Sequence, residues 1–248
     1  MSWSLSRQTE ELKFRLKTFL GTRPGLYFTL YRFKQGHSDL LVDRNTDICI
    51  EGFPRSANSF TVSAISTAQS ERIKISHHTH VSANAIRSCT LGIPTLILVR
   101  NPLDAITSLT ALRHQTRNMS PHEAGESGTI SLTLQANAWI AFYESLLPYR
   151  NQFVIAPFPS VINDLGPVIE RLNDTFKIDL NVFDHTRANV ESLHEERGYH
   201  AGPNEQRRAI KDAVRAVFEH QIDSDSAVRA RMRDAQDLYH RWIEMSSF

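Results

Sequence analysis

Cysteine is scarce in this chain: Cys49 and Cys89 are the two among 248 residues. Two thiols in apolar stretches cannot make a disulfide framework, and buried, reduced cysteines are the plain reading. Net charge is also nearly absent, since 28 Lys+Arg face 27 Asp+Glu for a formal charge of +1. That balance excludes a chain built for bulk electrostatic capture of nucleic acid, while leaving room for a local basic pocket. Long hydrophobic runs are missing too. The longest, Ile93-Pro-Thr-Leu-Ile-Leu-Val99, is far short of a membrane span. Residues 1–20 alternate charged and apolar groups without a continuous apolar core, so no secretory signal is expected there. With 41% apolar and 22% charged residues, the expectation is a soluble, cytoplasmic, globular domain.

What is present is an alternation of apolar runs and helical periods. Leu12, Leu16 and Leu20 stand four apart, which predicts an amphipathic helix over 6–20. Residues 26–33 are rich in large apolar groups and read as either strand or docked loop. Ile48-Cys49-Ile50 closes at Gly52 and Pro54, as a buried strand entering a turn would. A helix is predicted over 59–70, a weak strand over 73–75, and a helix over 82–91 capped by a left-handed Gly92. The run 94–99 is apolar at nearly every position, as expected of a parallel strand covered on both faces. Pro102 then starts a helix to about His114. The polar stretch 115–128 reads as a mobile loop. Helices follow over 131–147, 167–176, 204–220 and 226–245, with another buried strand at 153–156. Trp139 and Tyr143 take the core-facing spacing within the first of these helices. The sum is an α/β chain, a central parallel sheet flanked by helices in three layers, within one domain over 1–248. Its motif-bearing part covers about 47–112 and a helical C-terminal part about 187–248.

In such folds ligands sit at the carboxyl ends of strands, which selects the turns at 52–59, 77–82 and 100–102. The first, Gly52-Phe-Pro-Arg-Ser-Ala-Asn-Ser59, can form an anion cradle from helix N-terminal amides, Ser56, Ser59 and the Arg55 guanidinium. A polar turn with serine capping is the alternative. It is not a Walker A loop, because Ala57, Asn58 and Ser59 stand where Gly-Lys-Ser/Thr would end it. The second strand end carries Arg100 where a nucleoside triphosphatase commonly has a magnesium-holding Asp. Arg100 and Arg55 leaving the same sheet edge point to a ligand with more than one anionic group. A salt bridge from Arg100 to nearby Asp104 is the competing reading.

These two segments resemble the nucleotide-binding signatures of sulfotransferases that use 3′-phosphoadenosine-5′-phosphosulfate (PAPS). The family's Pro-Lys-Ser-Gly-Thr-Thr-Trp is similar to Pro54-Arg55-Ser56-Ala57-Asn58-Ser59-Phe60. Its Arg-Asn-Pro-Lys-Asp with a following Ser is similar to Arg100-Asn101-Pro102-Leu103-Asp104 with Ser108 in register. The resemblance implies a P-loop-like fold in which Arg55, Ser56, Asn58 and Ser59 meet the 5′-phosphosulfate end, with Ala57 and Phe60 also among the cofactor-binding residues. Arg100 and Ser108 would meet the 3′-phosphate. A later Gly-containing family segment is echoed at Arg197-Gly198, which implies those two residues near the nucleotide. Ala57 stands for a glycine, so a left-handed backbone there is more costly than in the family. Phe60 stands for the family's Trp, a smaller ring beside the adenine.

Three histidines, His77, His78 and His80, lie between the motifs. The family places a proton-accepting His in a Lys-Thr-His segment, and Thr79-His80-Val81 falls there. By resemblance His80 is the general base, with His78 as alternative, and Arg55 steadies the charge on the leaving phosphate. A structural histidine cluster ranks second and a metal site third, because neither a Cys spacing nor His-Glu-x-x-His accompanies them. The implied activity is sulfuryl transfer from PAPS to a hydroxyl or amine on a small molecule, carbohydrate or lipid, without metal. A divergent P-loop small-molecule kinase and a catalytically silent nucleotide-binding module are the alternatives. Acceptor identity and oligomeric state are not legible.

Overall fold

The computed structural model describes residues 2–31, 38–117, 130–197 and 205–246. Among them four strands form one parallel sheet: β1 (Ile48–Gly52), β2 (Ile75–His77), β3 (Thr95–Val99) and β4 (Val154–Pro157). Their spatial order is β2-β1-β3-β4, with Ile50 opposite His77 on one side and Leu96 on the other. β4 continues the sheet through pairs such as Ile97 with Ile155. Every residue of β1 and β3 is buried, as the continuous apolar runs require of strands covered on both faces.

Side-chain alternation sorts these strands into two cores. Ile48, Ile50, Leu96, Leu98, Val154 and Ala156 face one layer. There they meet helices α3 (Asn58–Ala68) and, after β4, α7 (Phe158–Asn163), α8 (Gly166–Phe176) and α9 (Arg187–Arg197). Ile97, Val99 and Ile155 face the other layer, built from α4 (Ser82–Leu91), α5 (Pro102–Thr116) and α6 (Leu132–Leu146). The C-terminal helices α10 (Glu205–Ser224) and α11 (Ser226–Met245) complete that layer. Trp242 of α11 stacks on Phe153, with ring centroids 5.7 Å apart, and meets Tyr143 edge-on. Each large side chain buried in this way contributes about 1.5–3 kcal/mol.

The N-terminal α1 (Ser2–Gly21) and α2 (Pro24–Tyr31) pack beside α4 and α6. Helix α2 stands over 26–31 of the segment expected as strand or loop, whose residues 32 and 33 lie outside the described residues. It is apolar on nearly every side, so no period marks it, and Leu26 and Leu30 remain exposed while Tyr27 and Phe28 are buried. The strand expected over 73–75 begins where it was expected to end, because Lys74 bonds back to Asp47 outside the sheet. Gln115 and Thr116 of the expected loop are helical and Arg117 caps that helix, while 118 to 128 lie outside the described residues. Helix α7 was not expected; it is a short turn straight off β4. Helix α9 falls at the start of the C-terminal part expected to be helical, though no period marked it, and it is held by buried Leu193 and half-buried Val190.

The helix after β1 and the helix after β3 lie on opposite faces of the sheet. Between adjacent strands that send their helices to opposite faces, a crevice opens at the carboxyl ends. Here that crevice lies between Gly52 and Arg100.

Candidate functional site

The crevice is closed at its base by backbone proximity. A Cβ on Gly52 would stand 2.7 Å from the Leu98 carbonyl oxygen, so only glycine lets β1 approach β3 at its last residue. Tyr143 then clasps both strand ends. Its hydroxyl donates to Leu98 O at 2.8 Å and accepts from the Phe53 amide at 3.4 Å. Burial pushes the Tyr143 phenol well above its usual range, which keeps it a neutral donor.

From Phe53 the chain turns sharply through two left-handed residues, Arg55 (φ 72°) and Ala57 (φ 71°), before entering α3. Asn58 Nδ2 and the Ser56 amide both donate to Phe53 O, at 3.2 Å each, and pin the turn. The Ser56 and Asn58 side chains, both expected at the cofactor, are buried within it. No side chain caps the start of α3, which leaves its first amides for a ligand. The left-handed Ala57 is the costly conformation foreseen from the missing glycine.

The second strand end is locked to this turn at two points. Arg100 Nη1 donates to Arg55 O at 2.8 Å, and Arg55 Nε donates to Ser108 Oγ at 3.0 Å. Three of the expected positions, Arg55, Arg100 and Ser108, are therefore joined beyond the carboxyl ends of β1 and β3. Arg100 lies over the Phe158 ring, 4.0 Å from its centroid, and burial lowers the guanidinium's affinity for its proton. Asp104 does not pair with it. Asp104 instead bridges to Arg215 at 2.6 Å, while Asn101 caps α5 by accepting from the Asp104 amide. Among the described residues Arg100 thus has no carboxylate partner, and an anion is the natural complement of a half-buried guanidinium.

The histidine turn is fixed by a residue that the sequence reading passed over. Glu51, fully buried in β1, accepts from the Thr79 amide (3.1 Å), Thr79 Oγ1 (2.6 Å), the His80 amide (3.0 Å) and Asn84 Nδ2 (3.0 Å). Burial raises its carboxyl pKa, opposed by these four donors. A charged residue inside an apolar strand, one position before the turn glycine, was the available signal. This anchoring holds His78 (φ 57°) and His80 (φ 54°) in left-handed backbone.

The histidines diverge from there. His78 Nε2 and Ser59 Oγ are hydrogen-bonded at 2.8 Å, and His78 Nδ1 contacts His77 Nδ1. His80 Nδ1 lies 3.0 Å from Gly52 O, an obligate acceptor, so Nδ1 carries the proton and Nε2 is a lone-pair acceptor. Burial pushes the His80 pKa down to about 4, helped by Lys17, His77 and Arg55, so the ring is neutral near pH 7. His80 lines a cleft of about 100 Å³ with Phe53, Pro54 and residues of α1, α5 and α6. Among the described residues no group of three or more His, Cys, Asp or Glu is arranged to hold a metal ion. No described helix is long and apolar enough to cross a membrane.

Phe60 stands in an aromatic cluster with Phe183 (6.2 Å between centroids), His185 (5.5 Å) and His194 (6.3 Å). Gly198 and the Arg197 side chain lie outside the described residues.

No protein-family profile matches the chain, and no curated protein matches it by sequence. Among solved structures, mouse sulfotransferase SULT7A1 complexed with PAP is similar at 13% identity and a TM-score of 0.41, over 80% of this chain and 92% of that one. At that level of likeness, the case for function rests on the site's own geometry.

Proposed function

We propose that the chain is a sulfotransferase that takes PAPS as donor and a hydroxyl or amine as acceptor. The observation that carries this reading is the double tie between the two strand-end turns, in which Arg100 grips the Arg55 carbonyl and Arg55 grips Ser108. That tie sets two guanidinium groups, an uncapped helix start and a serine hydroxyl at one crevice, a donor set suited to a ligand with separate anionic groups. PAPS supplies the sulfuryl group. Arg100 and Ser108 hold its 3′-phosphate, and Arg55 with the amides of residues 57–59 holds the 5′ end and steadies charge developing on the leaving phosphate. The acceptor oxygen forms a bond to sulfur as the bond from sulfur to the phosphate oxygen breaks. The acceptor's proton passes to His80 Nε2, for which the neutral ring and the fixed Nδ1–H are suited.

The test is calorimetric titration of the protein with adenosine 3′,5′-bisphosphate without metal, and separately with ATP and Mg²⁺. Metal-independent bisphosphate binding is expected. Binding of Mg²⁺-ATP alone would move the chain to the small-molecule kinases, and binding of neither would end the nucleotide reading.

A further inference from the structure

The cleft beside His80 has a composition that the nucleotide site does not explain. Its walls are apolar, with Phe14 of α1 and Ala138 and Phe142 of α6, and its charged members are Lys17 and Arg113. No Asp or Glu lines it among the described residues. A shallower groove of about 370 Å³ adjoins it, sharing Phe14, Lys17 and Arg113, and adds Lys13, Arg117 and Glu10. Glu10, the groove's one acid among the described residues, is bound to Arg117 at 2.5 Å. The channel therefore presents an excess of cations.

Arg113 is the centre of this arrangement. It lines both the cleft and the groove, lies over the Phe14 ring at 5.2 Å, and donates at most a long bond, 3.4 Å, to Gln135 Oε1. Among the described residues it has no ion pair. Burial lowers its pKa to about 10, the mark of a guanidinium withdrawn from water without a full complement of acceptors. A purely structural arginine would be expected to have found a carboxylate or several carbonyls. Low-polarity walls also strengthen its attraction for an anion.

We infer that this cleft is the acceptor subsite and that it takes an acceptor bearing a carboxylate or sulfate, held by Arg113 and Lys17 while its hydroxyl meets His80. The inference rests on the sulfuryl-transfer reading for its reaction, but its binding preference can be measured without any donor. Lys17 stands on the exposed surface of α1, Arg113 extends from the same helix as Ser108, and both line the cleft that His80 lines. A neutral phenol or sugar would leave Arg113 desolvated and unpaired, which disfavours it against an anionic relative.

The experiment compares matched probes on the full chain by calorimetry or saturation-transfer NMR. The pairs are methyl glucuronide against methyl glucoside and hydroxybenzoate against hydroxybenzamide. In at least one pair the anionic member is expected to bind about tenfold tighter, as one charge-assisted contact would give. The preference should shrink as salt rises from about 0.05 M to about 0.3 M. Arg113→Gln and the surface variant Lys17→Gln should each erode the preference several-fold, with adenosine bisphosphate affinity unchanged. Equal or tighter binding of the neutral probes, binding of none of the four, or a preference indifferent to both variants overturns the inference. Loss of bisphosphate binding with the anion preference intact would instead strike the sulfuryl-transfer reading alone.

Discussion

The guanidinium of Arg55 is fastened to Ser108, with Nε donating to Oγ at 3.0 Å across 53 residues of sequence. Under the proposed function, Ser108 serves the nucleotide both directly and by fixing where Arg55 points. Ser108→Ala should cost less than about 1 kcal/mol of stability, the ordinary worth of one partly exposed hydrogen bond. It should nonetheless weaken adenosine bisphosphate binding about tenfold, because a positioning contact and a ligand contact are lost together. Denaturation and calorimetry on the same sample separate the two effects. Equal losses in both would make Ser108 a structural residue only.

Ala57 occupies left-handed backbone at φ 71° and ψ 18°. An L-residue there costs roughly 1–2 kcal/mol, whereas glycine costs about 0.4–1 kcal/mol in extra unfolded-state freedom. Ala57→Gly should therefore raise stability by about 0.5 kcal/mol, read as a higher urea midpoint with unchanged slope. A lower midpoint would contradict the geometry of the turn.

His80 provides a pH test with a defined sign. Its folded pKa, pushed down to about 4 chiefly by burial, lies below the ordinary value of 6.5. Between those values the unfolded chain binds more protons. The stability this group contributes is thus complete above about pH 6.5 and is lost as pH falls toward 4. The imidazole Cε1–H resonance should titrate near pH 4 in the free protein. It should move upward when bisphosphate neutralises neighbouring charge at Arg55. A free-protein midpoint near 6.5 would show an exposed ring and remove the case for His80 as a fixed acceptor.

Glu51→Gln should be severely destabilising. The carboxylate accepts at both oxygens, from three donors at Oε1 and from the His80 amide at Oε2. An amide placed either way sets an N–H₂ group against a donor, at a cost of about 2–4 kcal/mol. Chemical denaturation measures it, and a change below about 1 kcal/mol would mean that the histidine turn stands without Glu51.

Much of this was legible before any coordinates. The apolar runs at Ile48 and Thr95 announced buried parallel strands, and Gly92 and Pro102 marked helix boundaries correctly. Arg55 and Arg100 stood out because they follow strands and Ser108 because it is in register with the family's second motif, and the fold brings the three together. Helix α2 was hidden because an apolar run packed on one side and exposed on the other has no period. Glu51 was hidden because its role depends on Thr79, His80 and Asn84, whose arrival over one carboxylate is tertiary. The cation-lined cleft was equally invisible, since Lys17 of α1 and Arg113 of α5 stand 96 positions apart and come to one cleft only in the folded chain.

The central claim is that Arg100, unpaired with any described carboxylate, holds the 3′-phosphate of an adenosine nucleotide. Calorimetric titration of adenosine 3′,5′-bisphosphate into wild type and Arg100→Ala tests it most directly. Metal-free binding by the wild type, weakened at least about a hundredfold in Arg100→Ala while the variant stays folded, is the predicted result. Equal affinity in the two proteins would contradict it.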